Sequence, residues 1–437
     1  MSEEWQAYVK DSRTICKYGS KCYQKNSEHH KLYKHPPITL KKNVGNRFKP
    51  YTKHSPNKVR ATAADRNEPD KEVKDDISHI KPPETLNGTT PTIRQVNEST
   101  ITYEEESSSS TSSGISKISE NITYYDKNMD ISIFKELFLV EMPRDFFKFF
   151  ECLHQENESF EKIMLSVNLE PIGPFDLLLG KLPILDDKEL YLTHWRFFYD
   201  PPEFQAVLKV KGKSQFHIGY YRDDPTEPPV FMASNDSSKD YTLTPIADNI
   251  FGAVYFYLQS HLNRSPFTAV ASKRLMEKIK KFAGEHNFSV EEYNKRARFL
   301  KIVTRTFHGA GIVVPYDKKS QLGYRKLVES DANIKKLFKK LEDATTKSEK
   351  DQVLSELQPV ITYASIAVDE CDFGTGLELG INLFCSGIEE LQRSALNCLT
   401  AAYSLLNRQA FTEIIKAHMK RRRKGPDLSV LKALAEK

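Results

Sequence analysis

Two groups of residues in this chain have types and spacings that suit chemistry. The first lies near the N-terminus, in CKYGSKCYQKNSEHHKLYKHP, where Cys16, Cys22, His29 and His35 follow the pattern C-x5-C-x6-H-x5-H. Two thiolates and two imidazoles close a tetrahedral shell around Zn²⁺ and leave no position open for substrate, so such a site is structural. A segment of about twenty residues has almost no core of its own, and the metal would supply most of its folding free energy. The spacing departs from the DNA-reading finger, whose central stretch of about twelve residues carries a recognition helix. The second group is Asp369, Glu370 and Asp372, in ITYASIAVDECDFGTGLELGINLFCSG. Neighbouring carboxylates repel each other's charge, which favours taking up a proton and suits a general base; the alternative is a solvated helix end.

Other chemistries find no footing. G-x-S-x-G, a P-loop and H-E-x-x-H are absent, and Gly374, Gly376 and Gly380 do not make G-x-G-x-x-G. Asp372–Gly374 reads DFG, but the kinase Gly-rich loop and H-R-D segment are missing. His308, between Phe307 and Gly309, reads as a core histidine rather than a catalytic one, and Asp200-Pro201-Pro202 beside Trp195 as a rigid turn against a large aromatic.

The elements that must position these groups fall in distinct stretches. The 437 residues allow two or three domains, yet 28% are charged and the mean hydropathy is −0.54, so part of the chain is expected to stay unfolded. The net charge of +5 is too mild to announce a nucleic-acid binder. From Val44 to Asn128 the chain is polar and without period, with the low-complexity run EEESSSSTSSG inside it, which reads as a disordered linker. From Ile131 to Met419 the composition is globular. Helices are expected over Ile131–Leu139 and through Phe146–Phe150, then strand-like stretches at His194–Phe204, Gln215–Pro225 and Pro228–Ser234. Beyond Ile250 helical periodicity takes over, at Phe251–His261, Lys273–Ala283, Val290–Phe299, Ile334–Leu341, Lys350–Ala367, Ile388–Leu406 and Arg408–His418. The fold class is therefore α+β, with a small antiparallel sheet in the first half and a mainly helical second half, preceded by a small zinc finger and a disordered linker.

The expected divisions are 12–40 finger, 41–130 linker, 131–419 globular domain and 420–437 basic tail. The tail's MKRRRKG, Met419–Gly425, fits an import signal, a nucleic-acid contact or a solvated helix end equally well. Cys152, Cys371, Cys385 and Cys398 are scattered in mostly apolar surroundings and read as reduced core residues of an intracellular protein. No run is long and apolar enough to span a membrane, and no secretory signal opens the chain.

With Tyr18, Gly19, Cys22, Tyr23, Lys25, Asn26, His29, His35 and Pro36 in place, the N-terminal segment resembles the poly(ADP-ribose)-binding zinc finger, the PBZ type. The resemblance implies that Tyr18 and Tyr23 hold the adenine of ADP-ribose, a role suited to rigid aromatic faces. Lys17, Lys21 and Lys25 could neutralise pyrophosphate oxygens. Gln24 stands where that family commonly has Arg; it keeps a hydrogen-bond donor but loses the charge and the bidentate fork. The other reading is a purely structural zinc knuckle.

The segments HWRFFYDPPEFQ, TFHGAGIVVPYDK, GYR and DECDFGTGLELG together resemble the histone PARylation factor family, accessory factors of DNA-damage-activated poly(ADP-ribose) polymerases. The resemblance runs from about Ile131 to His418, and the pairing with a finger is of the invertebrate type. It implies that Glu370 completes the polymerase active site as the base for an acceptor serine, with Asp369 beside it, and that Tyr324 and Arg325 dock on the polymerase. It further implies one structural zinc in the finger, NAD held by the partner rather than by this chain, histones and poly(ADP-ribose) as further partners, and work on chromosomes in the nucleus. The competing expectation is a non-catalytic reader or adaptor of poly(ADP-ribose).

Overall fold

The computed structural model describes residues 10–16, 27–35, 122–154, 158–262 and 266–435, in two compact units divided after Thr100. In the first unit, β1 (Thr14–Ile15) and α1 (Ser27–Leu32) precede β2 (Tyr33–Lys34), and the two strands pair in parallel with Thr14 opposite Tyr33. The Cys16 amide donates to the Lys34 carbonyl at 2.9 Å, which sets Cys16 beside His35.

The second unit opens with α2 (Ser132–Phe138), α3 (Arg144–His154) and α4 (Phe160–Ser166). On α3, Phe146, Phe149, Cys152 and Leu153 recur at helical spacing and are buried. Then come β3 (Leu169–Pro171), α5 (Pro174–Leu178), α6 (Glu189–Thr193), β4 (Phe204–Val210), β5 (Phe216–Tyr221), β6 (Phe231–Asp236) and β7 (Thr244–Ala247). Strands β3 to β7 form an antiparallel sheet in sequence order. One core joins Val207, Ile218, Tyr220 and Met232 of the sheet to Phe134, Phe146, Phe149 and Phe160, and to α7 (Ile250–His261) and α8 (Pro266–Glu285). After the short α9 (Lys295–Lys301), a second core is built by α10 (Asp331–Asp343), α11 (Lys347–Asp369), α12 (Phe373–Ser386), the 3₁₀ turn Glu389–Leu391, α13 (Gln392–Leu405) and α14 (Gln409–Lys420), and the last helix is α15 (Val430–Ala435). The α+β class is as expected, with the sheet in the first half and helices dominating the second.

Several expected elements differ. His194–Phe204 is a turn-rich segment rather than a strand, because Pro201 and Pro202 lack ladder donors and β4 starts only at Phe204. Buried Arg196 secures it by donating to the carbonyls of Leu192, Pro201 and Phe204. Asp200 accepts from the Phe197 amide at 3.0 Å and from His217 Nε2 at 2.8 Å, the rigid turn expected there, while Trp195 is only half-buried. The helix expected at Val290–Phe299 begins later, where Asn294 Oδ1 caps the amides of Arg296 and Ala297. The glycine-containing stretch after Asp372 is the buried helix α12.

The edges of the expected globular domain also shift. Tyr125 N–H bonds to Leu182 O at 3.0 Å and Ile184 N–H to Thr123 O at 2.7 Å, so the fold begins before residue 131. Nor is 420–437 a separate basic tail. Arg421 pairs with Asp187 at 2.7 Å and with Glu189, Arg422 lies 3.9 Å from the ring centroids of both Phe198 and Phe384, and Leu428 and Val430 are buried. These cations are spent inside the fold. Among the described residues no helix is long and apolar enough to cross a membrane. Most of the expected linker lies outside the described residues.

Candidate functional site

The acid cluster sits where α11 gives way to α12. Helix α11 starts at a capping box, with Thr346 Oγ1 accepting from the Glu349 amide and the Glu349 carboxylate from the Thr346 amide. It runs 23 residues and ends in a Schellman turn: Asp372 N–H reaches Ala367 O at 2.8 Å and Cys371 N–H reaches Val368 O at 3.0 Å. Cys371 takes the left-handed conformation (φ 71°) that glycine normally supplies, at a cost of about 1–2 kcal/mol. Asp369, the last residue of α11, and Glu370, its C-cap, are both exposed. Negative charge at a helix C-terminus opposes the macrodipole by about 0.3–1 kcal/mol, so stability does not explain these carboxylates.

What holds Glu370 is the segment Gly323–Arg325. Arg325 Nη2 lies 2.5 Å from Glu370 Oε2, and its Nε donates to Asp372 Oδ2. The other oxygen of buried Asp372 accepts from Gly323 N–H at 2.9 Å, so Asp372 ties the loop down instead of capping its own helix. Thr375 Oγ1 accepts from Arg325 N–H at 2.9 Å and donates to Arg325 O at 2.6 Å. One turn on, Glu378 accepts from Tyr324 OH at 3.1 Å and from Thr304 Oγ1 at 2.8 Å, and Asn382 Oδ1 accepts from Phe307 N–H at 2.9 Å. Asp372, Thr375, Glu378 and Asn382 thus form one polar stripe along an otherwise apolar buried helix. Close approach makes this possible. A Cβ on Gly323 (φ 109°) would stand 2.0 Å from Pro315 O, and one on Gly374 would stand 2.9 Å from Val314 and 3.0 Å from Gly323 O.

The result is an open recess of about 560 Å³, lined by Tyr316, Gln321, Tyr324, Arg325, Glu370 and Asp372. Glu370 is 57% exposed, while Arg325, 32% exposed, keeps Nη1 without an acceptor among the described residues. Asp369 does not share this recess. It lines a neighbouring groove with Val368, Cys398 and Ala401. Glu370, Tyr324 and Arg325 are therefore brought together, and Asp369 stands to one side.

Glu378 was not singled out by the sequence; the available signal is a lone carboxylate in the apolar run LELGINLF, in helical phase with Asp372 and Thr375. Only 4% exposed, it is pushed up to about 7 by burial, against the pull of its two hydroxyl donors. A carboxyl raised in the folded state stabilises fully below its unfolded value and loses that contribution as pH rises through about 7. Urea unfolding at pH 5 and pH 8 is expected to show stability falling across that window by up to about 3 kcal/mol, and Glu378→Gln should flatten the fall. His308 is a fully buried core histidine whose Nδ1 accepts from Ala310 N–H at 3.1 Å; burial drops it to about 3. Burial likewise pushes the Cys385 thiol to about 12 and that of Cys398 to about 11, so both stay protonated.

In the N-terminal unit, Cys16 Sγ lies 3.4 Å from His29 Nε2, which lies 3.2 Å from His35 Nε2, and the three ligand atoms fall within 4.8 Å of one another. Zinc–nitrogen bonds of about 2.0–2.1 Å give tetrahedral edges of about 3.3 Å, so the spacing fits a zinc shell. Cys22, Tyr18, Tyr23 and Gln24, and the lysines Lys17, Lys21 and Lys25, lie outside the described residues.

Residues 130–422 match the family model of histone PARylation factor 1, and residues 13–38 match the PBZ domain. Histone PARylation factor 1 of Danio rerio is 40% identical over 291 residues, which cover 65% of this chain and 83% of that protein. The Bos taurus protein of the same name is 40% identical over 290 residues, covering 64% and 83%, and that of Mus musculus 37% identical over 314, covering 70% and 89%. With more than half its length matched by the family model and relatives 37–40% identical covered over 83–89% of their own length, the chain belongs to the histone PARylation factor 1 family.

Proposed function

We propose that this chain is a cofactor of a DNA-damage-activated poly(ADP-ribose) polymerase, completing the polymerase active site and directing ADP-ribosylation to serine on histones. The observation that carries the reading is Glu370: an exposed carboxylate, set against the helix dipole and aimed by Arg325 at the rim of a recess. A serine hydroxyl is a weak nucleophile at neutral pH and needs a positioned base. The polymerase holds NAD. As its nicotinamide bond breaks, the ribosyl carbon becomes cationic, the serine oxygen bonds to that carbon, and the hydroxyl proton passes to Glu370. Asp369, one residue away on the adjacent groove, adds negative charge that favours lysine-bearing, histone-like substrates.

Tyr324 and Arg325 form the docking pair. Arg325 can reach a partner acceptor through Nη1 without surrendering Glu370 or Asp372. Arg325→Ala is expected to weaken the polymerase complex about thirty-fold in titration calorimetry, the effect of a hot-spot arginine. Unchanged affinity would remove it from the interface. The finger, with its PBZ match and Cys/His cluster, suits recruitment to poly(ADP-ribose); in this reading the cofactor works on chromosomes in the nucleus, where polymerase has acted. The whole reading is tested by mixing the chain with polymerase, NAD and a serine-containing histone peptide. Hydroxylamine-resistant serine linkages should appear only when the chain is present; if none form, the non-catalytic reader of poly(ADP-ribose) takes its place.

A further inference from the structure

The Tyr324 hydroxyl is not offered to solvent. It is turned inward onto Glu378, so the half-exposed ring, rather than the hydroxyl, is what an incoming protein meets. The same carboxylate takes the Thr304 hydroxyl on its other oxygen, and Thr304 belongs to a different segment, bridged to Ile312. Glu378 therefore ties two separate stretches of chain to one helix at a single point. Its neighbours along the stripe, Asp372 and Thr375, hold the backbone of Gly323 and Arg325 but leave the Tyr324 side chain alone. Glu378 holds the hydroxyl end of the ring, which Tyr316 meets edge-on at 6.4 Å between centroids.

We propose that Glu378 is the positioning residue of the docking surface: by accepting from Tyr324 and Thr304 it fixes the pose in which the Tyr324 ring, and Arg325 after it, meet the polymerase. This rests on the docking reading of Tyr324. Because the tether needs an ionised carboxylate to serve two hydroxyl donors at once, it is sensitive to protons. Protonation turns one oxygen into a donor, and one hydroxyl loses its acceptor. The charged groups that face the carboxyl are Asp331 at the start of α10, which favours the protonated form, and Lys326 beside the docking segment, which favours the ionised one. With burial dominant, the change falls near neutral pH.

The test is the affinity of the full chain for the polymerase, measured by calorimetry at pH 8 and pH 6. At pH 8, Glu378→Gln and Tyr324→Phe should each weaken binding about ten-fold, and the double variant should be no weaker than either alone, since all break one bond. Wild-type affinity should fall between pH 8 and pH 6 while that of Glu378→Gln stays level. If the hydroxyl bonds the polymerase instead, Tyr324→Phe will weaken binding, Glu378→Gln will not, and the proposal is overturned. Additive losses, or a wild-type pH profile in Glu378→Gln, also overturn it. Should Glu378→Gln fail to unfold cooperatively, Tyr324→Phe carries the test: its half-buried site loses one oxygen, and its pH profile must be flat. Tyr324→Ala separates this idea from the one beneath it. If that variant binds like wild type, the docking reading itself is wrong; if it binds poorly while Tyr324→Phe and Glu378→Gln bind normally, docking stands and positioning falls.

Discussion

Glu370→Ala is expected to lower serine ADP-ribosylation of a histone peptide by about 10²–10⁴-fold, the range over which a positioned general base acts. Binding to the polymerase should change far less. Glu370 is bonded on one side only, by Arg325, and removing it leaves Arg325 anchored through Asp372, with Thr375 still clasping its backbone. The docking segment thus keeps its shape when the base is lost. Glu370→Gln sharpens the test, because the amide preserves size and a bond to Arg325 but cannot take up a proton. If both variants bind polymerase and yield full serine modification, Glu370 is not the base. Asp369 provides an internal comparison. Standing on the adjacent groove, it should affect which peptides are modified more than how fast, so Asp369→Ala should chiefly weaken the preference for lysine beside serine.

How much of this was legible in the residues depends on what each signal was. The strand expected within Gln215–Pro225 is β5, where Phe216, Ile218 and Tyr220 share one face by the period of two, although His217 and Tyr221 on the other face are buried as well. The acid pair at the end of α11 was also visible, since charges following an apolar run mark a helix end. Helix α12 was not. Gly374, Gly376 and Gly380 argue against a helix by propensity, yet all are buried there, where a Cβ on Gly376 would stand 2.3 Å from Val368 and one on Gly380 2.9 Å from Leu399. Those glycines let α11 and α13 approach, and tertiary packing outweighs about 1 kcal/mol of propensity per residue. Arg422 misled in the opposite sense. In sequence it is one of several consecutive cations, but in the fold it is sandwiched between Phe198 and Phe384 and bonded to the carbonyls of both. Such a partner lies more than two hundred residues away at Phe198, where no local pattern points to it. Glu378 was silent for the same reason, its meaning residing in Tyr324 and Thr304.

The other large effect concerns the metal. Cys16→Ser is expected to take the zinc content of the full chain from one ion to none and to abolish poly(ADP-ribose) binding, with the main unfolding transition of the second unit unmoved. The first unit shows why. Its described secondary structure is a two-residue parallel strand pair and a six-residue helix, far below what holds itself together in water. A structural zinc site supplies about 10–16 kcal/mol, enough to hold Cys16 from the end of β1, His29 from α1 and His35 from the end of β2 in one place. Serine offers a hydroxyl that does not ionise near neutral pH, so the shell loses a thiolate and most of that energy. Chelating the ion from the wild-type chain should reproduce the loss, and returning zinc should restore it. Polymer binding that survives with no zinc bound would refute the centre, and Cys22→Ser, altering the fourth expected ligand, should fail in the same way as Cys16→Ser.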